Sequence, residues 1–217
     1  MTLVKICGTR SLTDARVALA AGANLLGFIF WKPGKRYIAP ADAARIIAAV
    51  RAESHWQTWS AVGVFVDPSV EHAHEVAEEC QLDLIQLSGD EPADLVRSMP
   101  RPTLKAIHVR AGHEHDAAAI VASNALGADR YLLDTHADDL PGGTGRAFDW
   151  HALSGIGPTC LVAGGLRADN VVNALDALSP YGVDVSTGVE LAGGGKDPRL
   201  IKAFVEAVRR YDDRADF

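Results

Sequence analysis

Lys5 and Cys7 stand two positions apart in a short apolar run, Leu3-Val4-Lys5-Ile6-Cys7, that ends at Gly8. Such a run suits a strand covered on both faces, and alternation puts the cation and the thiol on the same one. A thiolate is a competent base or nucleophile, and a neighbouring cation favours that form. Asp134 closes a second apolar run, Tyr131-Leu132-Leu133. The loop that follows it, Pro141-Gly142-Gly143-Thr144-Gly145, is no immediate helix, so helix capping is a weak account of the acid. A carboxyl kept protonated by burial could give up a proton where a thiolate takes one.

Two glycine-containing stretches have the chemistry of an anion site. They are Ala163-Gly164-Gly165-Leu166 and Ser186-Thr187-Gly188-Val189-Glu190, each directly after a predicted strand. Small residues let backbone N–H groups approach phosphate closely, and a following helix end adds its dipole. Taken singly, either stretch would read as a tight turn. Arg36 lies in the polar loop Trp31 to Tyr37, where it could grip a carboxylate or simply face water like Lys35. Position leaves those readings even. Asp184 has two equally weighted readings, an ion pair with Lys5 or a catalytic role.

The elements that must position these groups recur as strand then helix. Strands are predicted at Leu3–Cys7, Leu25–Phe30, Ala61–Val66, Leu84–Leu87, Leu104–Val109, Tyr131–Asp134, Cys160–Ala163 and Val183–Ser186. Helices are expected over Leu12–Ala21, Pro40–Ala52, Ser69–Cys80, Glu91–Met99, Glu114–Leu126, Ala168–Leu178 and Pro198–Tyr211, with a short helical piece at Trp150–Leu153. This alternation predicts a parallel sheet, and eight units fit a closed (β/α)8 TIM barrel over residues 1–217, an α/β single domain. The alternative, an open doubly wound sheet, lacks its G-x-G-x-x-G turn here. In the barrel, closure brings strand eight beside strand one, and phosphate is commonly held after strands seven and eight. Both glycine stretches fall there, which favours binding over simple turns.

Composition sets the surroundings. With 217 residues and 48% hydrophobic content the chain can bury a full core. A net charge of -7 argues against nucleic acid as a partner. The longest apolar stretch, Ala15 to Trp31, is broken by Gly22 and Asn24 and predicts no membrane span. Three cysteines without C-x-x-C spacing and an amino terminus without a signal-like core point to the cytoplasm. The pairs His72/His74 and His113/His115 lack H-E-x-x-H spacing and read as surface residues, so no metal site is expected. The chain is expected to be a monomer or a homodimer.

Taken together the motifs resemble the phosphoribosylanthranilate isomerase family of tryptophan biosynthesis. The likeness runs through Lys5-Ile6-Cys7-Gly8, Gly27-Phe28, Lys35-Arg36-Tyr37, Val62-Gly63-Val64-Phe65 and Gln86-Leu87. It continues through Leu133-Asp134, Gly142 to Gly145, Phe148-Asp149-Trp150 and Ala163 to Leu166, and closes with Gly182 to Glu190 and Lys196-Asp197. The resemblance implies an Amadori rearrangement of an aminated ribose phosphate without metal or cofactor. It makes Cys7 the general base and Asp134 the general acid. It gives the substrate's carboxylate to Arg36 and its phosphate to Gly164, Gly165, Thr187 and Gly188. Two positions depart from the family pattern: Ser88 replaces the usual histidine after Gln-Leu, and Gly34 a serine. The rival readings are a ring-opening isomerase of histidine biosynthesis, which would carry aspartate at position 7, and an idle sugar-phosphate-binding barrel.

Overall fold

A computed structural model describes residues 1–56, 58–135, 149–153 and 155–215. The strands are β1 (Leu3–Cys7), β2 (Leu25–Ile29), β3 (Ser60–Phe65), β4 (Leu84–Leu87), β5 (Thr103–Val109), β6 (Arg130–Thr135), β7 (Cys160–Val162) and β8 (Gly182–Val185). All pair in parallel with their sequence neighbours, and β8 closes on β1 to complete the expected barrel. Around it lie α1 (Leu12–Ala21), α2 (Pro40–Arg51), α3 (Val70–Cys80), α4 (Ala93–Arg97), α5 (Glu114–Ser123), α6 (Val171–Leu178) and α7 (Pro198–Ala215). Trp150–Leu153 is a turn of 3-10 helix.

Local chemistry explains most boundaries. Ser11 caps α1 by accepting from the Asp14 N–H, and Gly22 ends it in the left-handed region at φ 99°. The α4 helix is shorter than expected because Pro92 opens it and the preceding Glu91 turns its carboxylate inward to Lys105. The α6 helix starts three residues late. Asn170 accepts from the Arg167 N–H and donates to the Gly165 carbonyl, which holds the intervening segment as a turn.

Two apolar layers follow from strand alternation. One face of the strands meets the helices in a large outer core. The other face fills the barrel with Leu25, Val62, Leu104, Ala106, Leu132, Leu161 and Ala163. Continuing each strand two residues at a time on that inner face leads to Cys7, Ser88, His108, Asp134 and Ser186. A packed apolar floor with a polar upper tier leaves the carboxyl ends of the strands as the place for chemistry.

Candidate active site

The inner face of β1 carries Lys5 and then Cys7, both buried. Lys5 Nζ donates to Asp184 Oδ1 at 2.9 Å, across the register pair that closes the barrel. The ion-pair reading of Asp184 is therefore realised. Burial alone would depress the Lys5 ammonium, but the Asp184 charge and hydrogen bond, with help from Cys7, hold it above its ordinary range. Room for both side chains comes from Gly27 on β2, where a methyl group would lie 2.9 Å from Cys7 Sγ and 3.2 Å from Lys5 Nζ.

The thiol departs from expectation. Burial pushes it above its ordinary range, and the Asp184 charge adds to that. Lys5 pulls the other way but is outweighed by burial. Without a ligand Cys7 is thus a protonated thiol at neutral pH.

Asp134 sits near the end of β6 beside His108 of β5 in register. Burial raises its carboxyl, the Asp184 charge adds to this, and His108 opposes it. The shift is toward the acid form, the direction a proton donor needs. The glycine loop at 141–145 lies outside the described residues. At the departure from the family pattern, Ser88 Oγ accepts from the Gln86 amide at 3.0 Å. The Ser88 carbonyl lies 3.0 Å from His108 Nε2, and a carbonyl can only accept, so that nitrogen carries the proton. The other Gln86 amide atom, Oε1, is buried without a partner among the described residues.

The loops after β7 and β8 meet. Gly164 and Gly165 are both left-handed, at φ 88° and 68°. At Gly164 a side chain would strike Thr135, whereas at Gly165 it would meet open space. Gly188 is required by protein rather than by a ligand, since a side chain there would collide with the Leu166 carbonyl. The two loops are so pressed together, and the open space beside the Gly165 backbone leaves room for an oxyanion.

Arg36 does not face water. Its Nε donates to Glu190 Oε1 at 2.6 Å and its Nη2 to Glu190 Oε2 at 2.8 Å. A further bond runs from Nη2 to Thr187 Oγ1 at 2.7 Å. Glu190 also takes Lys196 Nζ at 3.2 Å, and that ammonium donates to the Ser186 carbonyl at 3.1 Å. Burial would raise the Glu190 carboxyl, but the Arg36 hydrogen bond and the two cations bring it down to about 2. Burial lowers Lys196. Sequence reasoning assigned no role to Glu190 or Lys196. Both lie in the closing motifs of the family likeness, but no spacing rule joins Arg36 to an acid 154 positions away.

Known proteins resemble this chain in sequence and in fold. Residues 4–207 match the family described as N-(5'-phosphoribosyl)anthranilate (PRA) isomerase. A relative of that name from Pseudomonas fluorescens is 41% identical over 210 residues, covering 96% of each chain. One from a Geobacter species is 41% identical over 212 residues, covering 97% of this chain and 99% of its own. Among solved structures, the phosphoribosyl anthranilate isomerase of Thermotoga maritima superposes with a TM-score of 0.84 at 35% identity, covering 97% of this chain and all of its own. A phosphoribosyl anthranilate isomerase in complex with reduced 1-(o-carboxyphenylamino)-1-deoxyribulose 5-phosphate gives 0.81 at 33% identity, over 97% and 100% of the two chains.

Proposed function

We infer the chemistry of this site from one premise, that the chain belongs to the N-(5'-phosphoribosyl)anthranilate isomerase family. It is an isomerase of tryptophan biosynthesis. Its substrate is N-(5'-phosphoribosyl)anthranilate and its product 1-(2-carboxyphenylamino)-1-deoxyribulose 5-phosphate. The observation that carries the mechanism is the pairing of a buried thiol at the end of β1 with a carboxyl favoured as the acid near the end of β6. The phosphate-suited loops of β7 and β8 lie between them around the barrel.

Asp134 protonates the furanose ring oxygen, and the C1–O bond breaks to give the protonated open-chain Schiff base. Cys7, as thiolate, removes the proton from C2, leaving an enolamine that tautomerises to the ketone. The acid has then lost one proton and the thiol gained one, so exchange through solvent restores both. Gly164, Gly165, Thr187 and Gly188 form the phosphate end, and Arg36 faces the anthranilate carboxylate. Fixing both ends holds the sugar between acid and base, where positioning contributes most. Asp184 acts by pairing with Lys5 beneath the sugar.

Among the described residues no helix is long and apolar enough to cross a membrane. The cytoplasm is the setting this reading implies, with the enzyme a monomer or a homodimer. A Thermotoga maritima relative is described as dimeric.

Loss of anthranilate fluorescence when fresh phosphoribosylanthranilate meets the protein tests the reading directly. Rapid turnover by the wild type and its near-absence in Cys7→Ala supports it. A folded wild type without turnover abandons it and sends the histidine-pathway substrate to the same assay.

A further inference from the structure

Arginine offers five N–H donors, and a carboxylate in the preferred geometry takes two from one edge. In this barrel the protein fills that edge itself. Glu190 holds Nε and one Nη2 hydrogen, and Thr187 accepts from Nη2 as well. Among the described residues the Nη1 hydrogens have no partner, so Nη1 is the part of Arg36 still offered to a ligand.

Glu190 could be a stand-in that the substrate displaces or a fixed support. Its surroundings favour the second. Its side chain is 11% exposed, and it shares its Oε1 with Lys196, whose own side chain is 2% exposed. Moving it would strip a buried ammonium of its counter-charge. The backbone is tied too, through the Glu190–Lys196 bridge and the Asp197 N–H to Val189 carbonyl bond. Arg36 is also pinned from below. Its side chain crosses Gly8, the residue after Cys7, so closely that a methyl there would lie 2.7 Å from Arg36 Cδ.

We propose that Glu190 is a positioning residue that holds Arg36 by its Nε/Nη2 edge, so that Nη1 is presented end-on to the substrate carboxylate. This rests on the reading of Arg36 as the carboxylate ligand. The same contact joins the two ends of the site, because the Nη2 bound to Glu190 is also bound to Thr187 on the phosphate side. The carboxylate and phosphate sites therefore keep a set spacing, which matches one length of substrate.

Steady-state kinetics of Glu190→Gln, Arg36→Ala and the double variant test this. Glu190→Gln is expected to raise KM by roughly tenfold with kcat within about twofold, the loss of one charge-assisted contact. In the Arg36→Ala background the same change is expected to add nothing to KM, because the group it positions is gone. A fall in KM would mean that Glu190 competes with substrate and overturns the proposal. Unchanged KM, or additive effects in the double variant, overturns it as well. Should Glu190→Gln not fold, Glu190→Asp keeps the charge beside Lys196 but shortens the reach to Arg36. Its KM should rise by a smaller factor, and an unchanged value again overturns the proposal. An unaltered KM in Arg36→Ala alone, or a wild type without turnover, is a separate result that removes the underlying reading and the support role with it.

Discussion

Gly27 faces Cys7 across the β1–β2 register, leaving no space for a side chain between the thiol and the Lys5 ammonium. A methyl at Gly27 would also stand 3.1 Å from Cys7 Cα, so relief would require movement of the strand as well as the side chains. Gly27→Ala is expected to cost about 1–3 kcal/mol of stability from overpacking. Turnover should fall more than tenfold through displacement of the base. Thermal unfolding and kcat measured together check this. Wild-type values for both would mean that the pocket has slack the packing does not suggest.

The pH dependence of kcat/KM should carry an inverted assignment. The productive enzyme needs Cys7 as thiolate and Asp134 as acid. Both groups are shifted upward, and the ordinary thiol value is about 4–5 units above the ordinary carboxyl value, so the thiol remains the weaker acid. The productive form is then a constant minority between the two titrations. Activity rises with pH at the lower of them and falls at the higher. The acid limb therefore belongs to Asp134 and the alkaline limb to Cys7, the reverse of a simple base-then-acid reading. In Asp134→Asn only the thiolate requirement remains, so residual activity should rise with pH through the lower titration up to that of Cys7 and then level off. A residual activity that still falls at high pH would reject the assignment.

Asp184 couples those two titrations. Its charge raises both Cys7 and Asp134 while it holds the Lys5 ammonium. Asp184→Asn removes one negative charge facing both groups, so each should ionise more readily. Both limbs of the kcat/KM profile are expected to move toward lower pH together. Besides Asp184, the charged or titratable groups facing Cys7 and Asp134 are Lys5, Lys196, Arg36 and His108, and freeing Lys5 of its counter-charge pulls both titrations in the same downward direction. Limbs that stay in place would show that solvent screens the mouth of the barrel.

The barrel was legible because its evidence is local and repeated. Apolar runs recur eight times, caps such as Ser11 and breaks such as Gly22 separate some of them, and closure alone predicts Lys5 beside Asp184. Cys7 and Asp134 were legible by type and by place at strand ends. What stayed hidden depends on which loops meet above the barrel. Arg36 and Glu190 belong to loops from opposite ends of the chain, and no periodicity links them. The direction of the Cys7 shift was missed for a related reason. Sequence shows a nearby lysine and even offers it an aspartate, but not that burial of the thiol outweighs the lysine's pull.

Lys105 and Glu91 form a second buried ion pair, at 2.9 Å, away from the reacting groups. Lys105 Nζ also donates to the Gly89 and Ala106 carbonyls, and Glu91 accepts from the N–H groups of Asp67 and Gly89. The pair thus ties together the loops after β3 and β4 and the strand β5 that carries His108. Burial would raise the Glu91 carboxyl, but the Lys105 hydrogen bond and charge, with the two backbone donors, hold it below its ordinary range. A carboxyl depressed on folding contributes stability above its unfolded value, near pH 4.3, and loses it as pH falls through the folded one. Glu91→Ala leaves Lys105 buried without its partner and should cost about 3–5 kcal/mol at pH 7. Denaturant melts of wild type and variant at pH 7, and again well below pH 4, check both points. The gap between the two should narrow in acid, and a gap independent of pH would mean that packing rather than charge holds these loops.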